Sequence, residues 1–187
     1  MDFITVEETD MSRIATLIVA IMLAGASTLQ AQAPANPLSA NFKASWTNIS
    51  SLLARMAEKM PEENYRFKPT PEMADFGVRI AHAVNFNMRG CAAAKGETKP
   101  LTFSAAPTKA EVLAAMKETN AYCDGVFSAL TDADAMSMLT GGRGGPRPKF
   151  TVLQGMVLEH SQEMYGYMCP YLRLKGIVPP SSDRNER

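Results

Sequence analysis

Histidine occurs only twice in this sequence and cysteine three times, so the side chains that most often carry chemistry are scarce. Net charge is missing altogether, because Lys plus Arg and Asp plus Glu both total 19. Without a basic field there is little to attract a phosphate backbone, and nucleic acid is excluded as a partner class. Aromatics are thin as well, 7% of residues with a single tryptophan, whereas methionine reaches 13. An unbranched thioether favours helix and fills irregular gaps, so this composition points to helical cores. With 187 residues and an apolar share of 46%, the chain can build one domain around one core, and a second domain is not expected.

The apolar stretch Ile14 to Ala26 falls short of the ~20 residues a spanning helix requires. Preceded by Met11-Ser12-Arg13 and followed by Ala31-Gln32-Ala33, it reads as a secretory signal peptide covering residues 1–33, cleaved after Ala33. Asp2, Glu7, Glu8 and Asp10 carry the wrong charge for the leading region of such a peptide, so the expected true start is Met11. The protein is then periplasmic or secreted, with no stable membrane anchor after cleavage. In an oxidising compartment Cys91, Cys123 and Cys169 can form a bridge, and because three is odd at least one stays unpaired within the chain.

From residue 34 onward the hydrophobic pattern predicts four helices. Phe42, Trp46, Ile49, Leu53, Met56 and Met60 recur at steps of four and three, the spacing of one inward helical stripe. Pro61 stops that helix, and Tyr65 to Pro71 predicts an extended connector, because proline lacks the amide donor and restricts its predecessor. The second helix, Phe76 to about Ala94, shows one stripe of Ile80, Val84, Asn87 and Cys91 and another of Val78, His82 and Phe86, so burial on two sides is expected. Gly96 ends it. Thr108-Lys109-Ala110-Glu111 is a capping-box pattern that starts the third helix, with Leu113, Met116, Asn120, Cys123, Phe127 and Leu130 inward.

Residues 132–149 show no periodicity, and Gly141 to Pro148 predicts a mobile surface loop. A phosphate cradle is the sharper alternative, but its glycines would have to lie between a strand and a helix start, and the pattern offers no strand. The fourth helix runs from about Thr151 to Lys175, with Leu153, Val157, His160, Met164, Tyr167, Tyr171 and Leu174 as its stripe. Pro170 predicts a bend near Gly166, and Gly176 with Pro179-Pro180 marks the end. The fold expected is all-α, a four-helix bundle with long connectors over residues 34–187.

Both histidines fall inside predicted helices. His160 and Met164 stand four residues apart, a spacing that stacks two side chains on one helical face, with His82 able to supply a third group from another helix. The plainer reading of each histidine is a hydrogen-bonded core residue. Glu159 and Glu163 flank His160 and could complete a site or act as a base, or simply be solvated flanks. Met164 is either a core filler or a soft ligand of the kind copper(I) prefers.

A family resemblance bears on these alternatives. Met60 to Met73 resembles the exit from helix one in DinB-like proteins, and Phe76-Gly77 leading to His82, Asn87 and Cys91 is similar to their second helix. Tyr122-Cys123-Asp124 matches the third, and Tyr165-Gly166 with Tyr171 to Pro180 resembles the closing signature. The likeness covers nearly all of the chain beyond the leader. It implies a four-helix bundle holding a divalent ion, zinc or nickel, on one histidine of helix two and a His-x-x-x-His pair of helix four. His82 and His160 fall on the first two of those positions. Met164 occupies the third, where this sequence departs from the family; a neutral thioether is a poor substitute for imidazole toward zinc, and catalytic zinc sites keep three protein ligands.

The resemblance also implies a disulfide between Cys91 and Cys123, which fall where exported relatives carry cysteines. Two functions are compatible with it. One is a metal-dependent hydrolase or thiol transferase acting on a small molecule, with His82 and His160 holding the ion and Glu163 assisting. The other is an exported bundle whose cavity binds a softer metal, a small ligand or nothing, which Met164 and export both favour, since small thiol cofactors are mainly cytosolic. The expectation is therefore an exported DinB-like protein with a weakened divalent-metal site, copper(I) being the alternative metal, and with no catalytic residue assigned. A small molecule and a second copy of the chain, as a homodimer, are compatible partners.

Overall fold

The structure is a computed structural model describing residues 35–141 and 145–183. The leader expected over residues 1–33, with its start at Met11, lies outside them, as does the middle of the glycine-rich stretch. Helix α1 (Pro37–Lys59) is followed by a short 3-10 turn (Glu62–Asn64), then by α2 (Phe76–Ala94) and α3 (Lys109–Ala129). A short α4 (Asp132–Met136) and two two-residue strands, β1 (Met138–Leu139) and β2 (Arg147–Pro148), precede a long helical run. That run comprises α5 (Lys149–Val152), a π-helical segment (Leu153–Glu159) and α6 (His160–Leu174). Helix α3 packs on both α1 and α2, and the last run closes the ring between α2 and α1. Successive helices α1 and α2 thus stand diagonally, as do α3 and the last run, which is why long connectors are required. No described helix is long and apolar enough to cross a membrane.

The stripe expected on α1 is buried throughout, from Phe42 and Trp46 to Met56 and Met60. Trp46 stacks on Phe127 of α3, ring centroids 5.5 Å apart, and its indole N–H donates to Asp124 at 2.7 Å. The N-terminus of α1 has no local side-chain cap. Instead the Asp132 carboxylate accepts from the backbone N–H groups of Leu38 and Ser39 at 3.2 and 2.8 Å, satisfying donors that a helix start leaves free. At the other end, Lys109 Nζ donates to the carbonyls of Glu58 and Met60.

The connector after α1 is not simply extended. Its 3-10 turn brings Tyr65 into the core, where the phenol donates to the Ala57 carbonyl at 2.8 Å. Helix α2 begins at Asp75, whose carboxylate accepts from Val78 N, and ends in a Schellman arrangement at Gly96, φ +74°. Its first expected stripe is buried, but the second is not: His82 is exposed, and Val78 and Phe86 are half-buried. The short residues Ala83, Gly90 and Ala94 form the second buried side instead. At Gly90 that side meets the π segment, close to Val157 and Met156.

Helix α3 opens with the capping box expected at Thr108 and Glu111. Met116, Cys123, Phe127 and Leu130 are buried as expected, joined by Val112, Thr119 and Val126, while Leu113 and Asn120 are half-buried. The stretch after α3 differs from the expected structureless loop. Met138 pairs with Pro148 and Leu139 with Arg147 in antiparallel register, and Lys149 anchors the pair through an ion pair with Asp134 at 2.6 Å.

The expected inward stripe of the last helix holds at Leu153, Val157, Met164 and Tyr171 but fails at Tyr167 and Leu174, which are 51% and 62% exposed. Ser161, Tyr165, Met168 and Leu172 are buried in addition. A π segment inserts extra backbone into the helix, so the core-facing register moves on by about one residue, from His160 to Ser161 and from Tyr167 to Met168. Pro170 is carried inside α6, and the irregularity lies upstream of Gly166 rather than at it. Gly176, at φ +72°, closes α6 in a second Schellman arrangement.

Candidate functional site

The register change leaves His160, the first residue of α6, at the rim between α2 and the last helix rather than deep in the core. Its imidazole is 15% exposed. His82, on the outward side of α2, meets it there with Nε2 to Nε2 at 3.2 Å and the rings edge to face, 73° apart. Phe86, one turn beyond His82, lies against both imidazoles, with centroids 4.8 Å from His82 and 4.2 Å from His160. Just below, the buried Ser161 hydroxyl donates to Asn87 Oδ1 at 2.8 Å, fixing α6 against α2 at this level.

Glu163 reaches back one turn, and its Oε2 lies 3.3 Å from His160 Nδ1. With Nδ1–H donated to that carboxylate, Nε2 is left with the lone pair that faces His82. Glu163 also raises the ionisation range of the Tyr167 phenol by hydrogen bonding and by its charge. Arg79 lies 6.0 Å over the Tyr167 ring. Although His82 is open to solvent on one side, partial desolvation of its ring lowers its basicity below that of an ordinary imidazole, reinforced by His160 and then by Arg79 and Arg89. The site therefore favours a neutral, lone-pair-bearing imidazole at His82.

Beside His82 lies a pocket of about 220 Å³, lined by Val78, Ala81, Asn85, Phe103 and Pro107 among others. Asn85 Oδ1 accepts from Leu101 N at 3.0 Å and so ties the connector between α2 and α3 down over α2.

Of the residues singled out in the sequence, His82 and His160 come together and Glu163 joins them. Met164 is only 4% exposed and belongs to the hydrophobic core. Glu159 is turned to solvent and accepts from Gln154 at 2.7 Å. Among the described residues no group of three or more histidine, cysteine or acidic side chains could hold a metal ion. Cys91 and Cys123 form a disulfide between α2 and α3, with Cα atoms 5.5 Å apart. Cys169 is a free, half-buried thiol whose ionisation burial pushes up. Gly90 and Ser161 were not legible as site residues, because their roles arise from packing between helices.

Two crystal structures described as DinB-like proteins share this fold. One, from Bacillus subtilis, is 14% identical and superposes with a TM-score of 0.60 over 74% of this chain and 94% of its own. The other, from Bacillus cereus, is 20% identical with the same TM-score, over 74% and 93%. At such identities the likeness speaks for the fold alone. No curated protein matches the chain. The family model described as the DinB superfamily matches residues 41–168, a span that begins in α1, ends in α6 and includes both histidines and the Cys91–Cys123 pair. The chain belongs to the DinB superfamily.

Proposed function

We propose that this protein is an exported member of the superfamily with a divalent-metal site on His82 and His160, weakened by methionine at position 164. The single observation that supports it most is the pair of facing Nε2 atoms at 3.2 Å. Two nitrogens each ~2.0–2.1 Å from one tetrahedral zinc stand about 3.3 Å apart, so the pair fits two positions of one ion. Glu163 at His160 Nδ1 is the carboxylate partner that orients a ligating imidazole. On this reading Glu163 acts on the ring from behind, while His82 and His160 hold the ion. Met164, turned into the core, adds neither charge nor imidazole.

A bound zinc or nickel ion would supply Lewis-acid polarisation to a small molecule in the pocket beside His82. His82 and His160 would hold the metal, and Glu163 would orient one of the two imidazoles. Export is supported by the Cys91–Cys123 disulfide, which suits an oxidising compartment. Recovery of residues 1 to 30 by peptide mapping of the exported protein would count against it.

The test is zinc titration of protein purified without chelators, alongside Met164→His, His82→Ala and His160→Ala. Restoring a third imidazole is expected to tighten binding by at least ~10–100-fold, the size of effects seen when even supporting groups change. Both alanine variants should lose the site. Stoichiometric zinc or nickel retained by the wild type through gel filtration would show that the site is not weakened. Copper(I) bound by the wild type and lost in Met164→Ala would replace this reading with a soft-metal one.

A further inference from the structure

We infer that Gly90 is a positioning residue for the histidine pair: the missing side chain at this point of α2 is the seat that lets the π segment pack closely enough to bring His160 onto His82.

A Cβ built at Gly90 would stand 2.5 Å from Val157 Cγ2 and 3.1 Å from Met156 Cβ. The first of these is far inside van der Waals contact, so a side chain at position 90 forces Val157, or the segment that carries it, to shift. Both contacted residues belong to Leu153–Glu159, where the helix leaves its α register, and that segment ends immediately before His160. Val157 is fully buried, and its β-branched side chain is short and stiff. On the α2 side, Gly90 lies two turns beyond His82, so both imidazoles are carried on the backbones that meet here. The Ser161–Asn87 hydrogen bond, also between these two helices, then locks the approach that Gly90 allows. Among the other helical glycines, Gly125, Gly155 and Gly166 would have nothing within 4 Å of an added Cβ, and Gly77 would meet Pro107 and Tyr65 instead, which leaves Gly90 as the point of close contact with the π segment.

The idea rests on the pairing of His82 with His160 and deepens the metal reading without depending on it. Because the chain has only two histidines, an NOE between imidazole ring protons has one source, and it can be read on metal-free protein. The experiment compares wild type, Gly90→Ala, Gly125→Ala, Val157→Ala and the double variant Gly90→Ala/Val157→Ala, with folding checked by circular dichroism. Wild type, Gly125→Ala and Val157→Ala are expected to show the cross-peak and Gly90→Ala to lose it. The double variant, relieved of the 2.5 Å contact, is expected to regain it. Zinc affinity should follow, falling ~10–100-fold in Gly90→Ala as for other changes behind a metal ligand.

Retention of the cross-peak in folded Gly90→Ala overturns the inference. If Gly90→Ala does not fold, the double variant decides: folded with the cross-peak it supports the seat, and folded without it overturns it. A wild type that shows the cross-peak but binds no zinc or nickel ends the metal reading while the seat stands.

Discussion

At the scale of the residue, the site turns on what each imidazole nitrogen faces. His160 is oriented from its Nδ1 side by Glu163, and His82 is biased toward its neutral form chiefly by partial desolvation and then by His160 itself. A folded-state value below the unfolded ~6.5 means that the unfolded chain binds the extra proton first, so stability is full above that pH and is lost as pH falls through the lower folded value. Urea unfolding of chelated wild type should therefore show midpoints that decline from about pH 7 to about pH 5 more steeply than those of His82→Gln. Equal slopes for the two proteins would show that His82 is not strained toward its neutral form. Met164 illustrates the limit of residue spacing. Four residues from His160, it shares a helical side with it and is buried in the core as its place in the stripe predicts, whereas His160 stops at the rim; spacing gave the side and not the depth.

At the scale of the element, helix ends are set partly by neighbours in sequence and partly by distant groups. The Thr108 hydroxyl accepts from Glu111 N at 3.2 Å, and Glu111 returns the bond to Thr108 N. Removing the hydroxyl in Thr108→Ala is expected to cost ~1 kcal/mol, and Thr108→Ser much less. Urea titration followed by the fluorescence of the single tryptophan measures both, and an alanine variant as stable as wild type would show that Glu111 and Ser104 alone hold this end. Helix α1 is the contrasting case. Its first turn borrows Asp132, and the backbone bonds that result, that from Ser39 foremost, hold the Asp132 carboxyl below the ordinary carboxylate range. No reading of residues 35–40 alone could supply that partner.

At the scale of the molecule, the Cys91–Cys123 bridge joins adjacent helices across a sequence separation of 32. By loop entropy such a closure contributes roughly 3–4 kcal/mol, a large share of the ~5–15 kcal/mol typical of whole domains. The Cys91→Ala/Cys123→Ala double variant should lose stability of that order in urea, while Cys169→Ala should change little. Alkylation of both bridge thiols in unreduced, denatured protein would remove the basis of the prediction.

The four helices, the buried stripe of α1, the caps at Thr108, Gly96 and Gly176, and the pairing of His82 with His160 could be drawn from the sequence alone or from the resemblance it carries. Stripes, caps and left-handed glycines are decided within a few residues along the chain, where the code is local. Only the tertiary structure decided the π segment, the facing side of α2, the strand pair around the glycine-rich stretch and the fate of Met164. The π segment and the facing side of α2 depend on how closely two helices approach. That approach brings together residues such as Gly90, which has no side chain, and Val157, which stand far apart in sequence and meet only when the bundle closes.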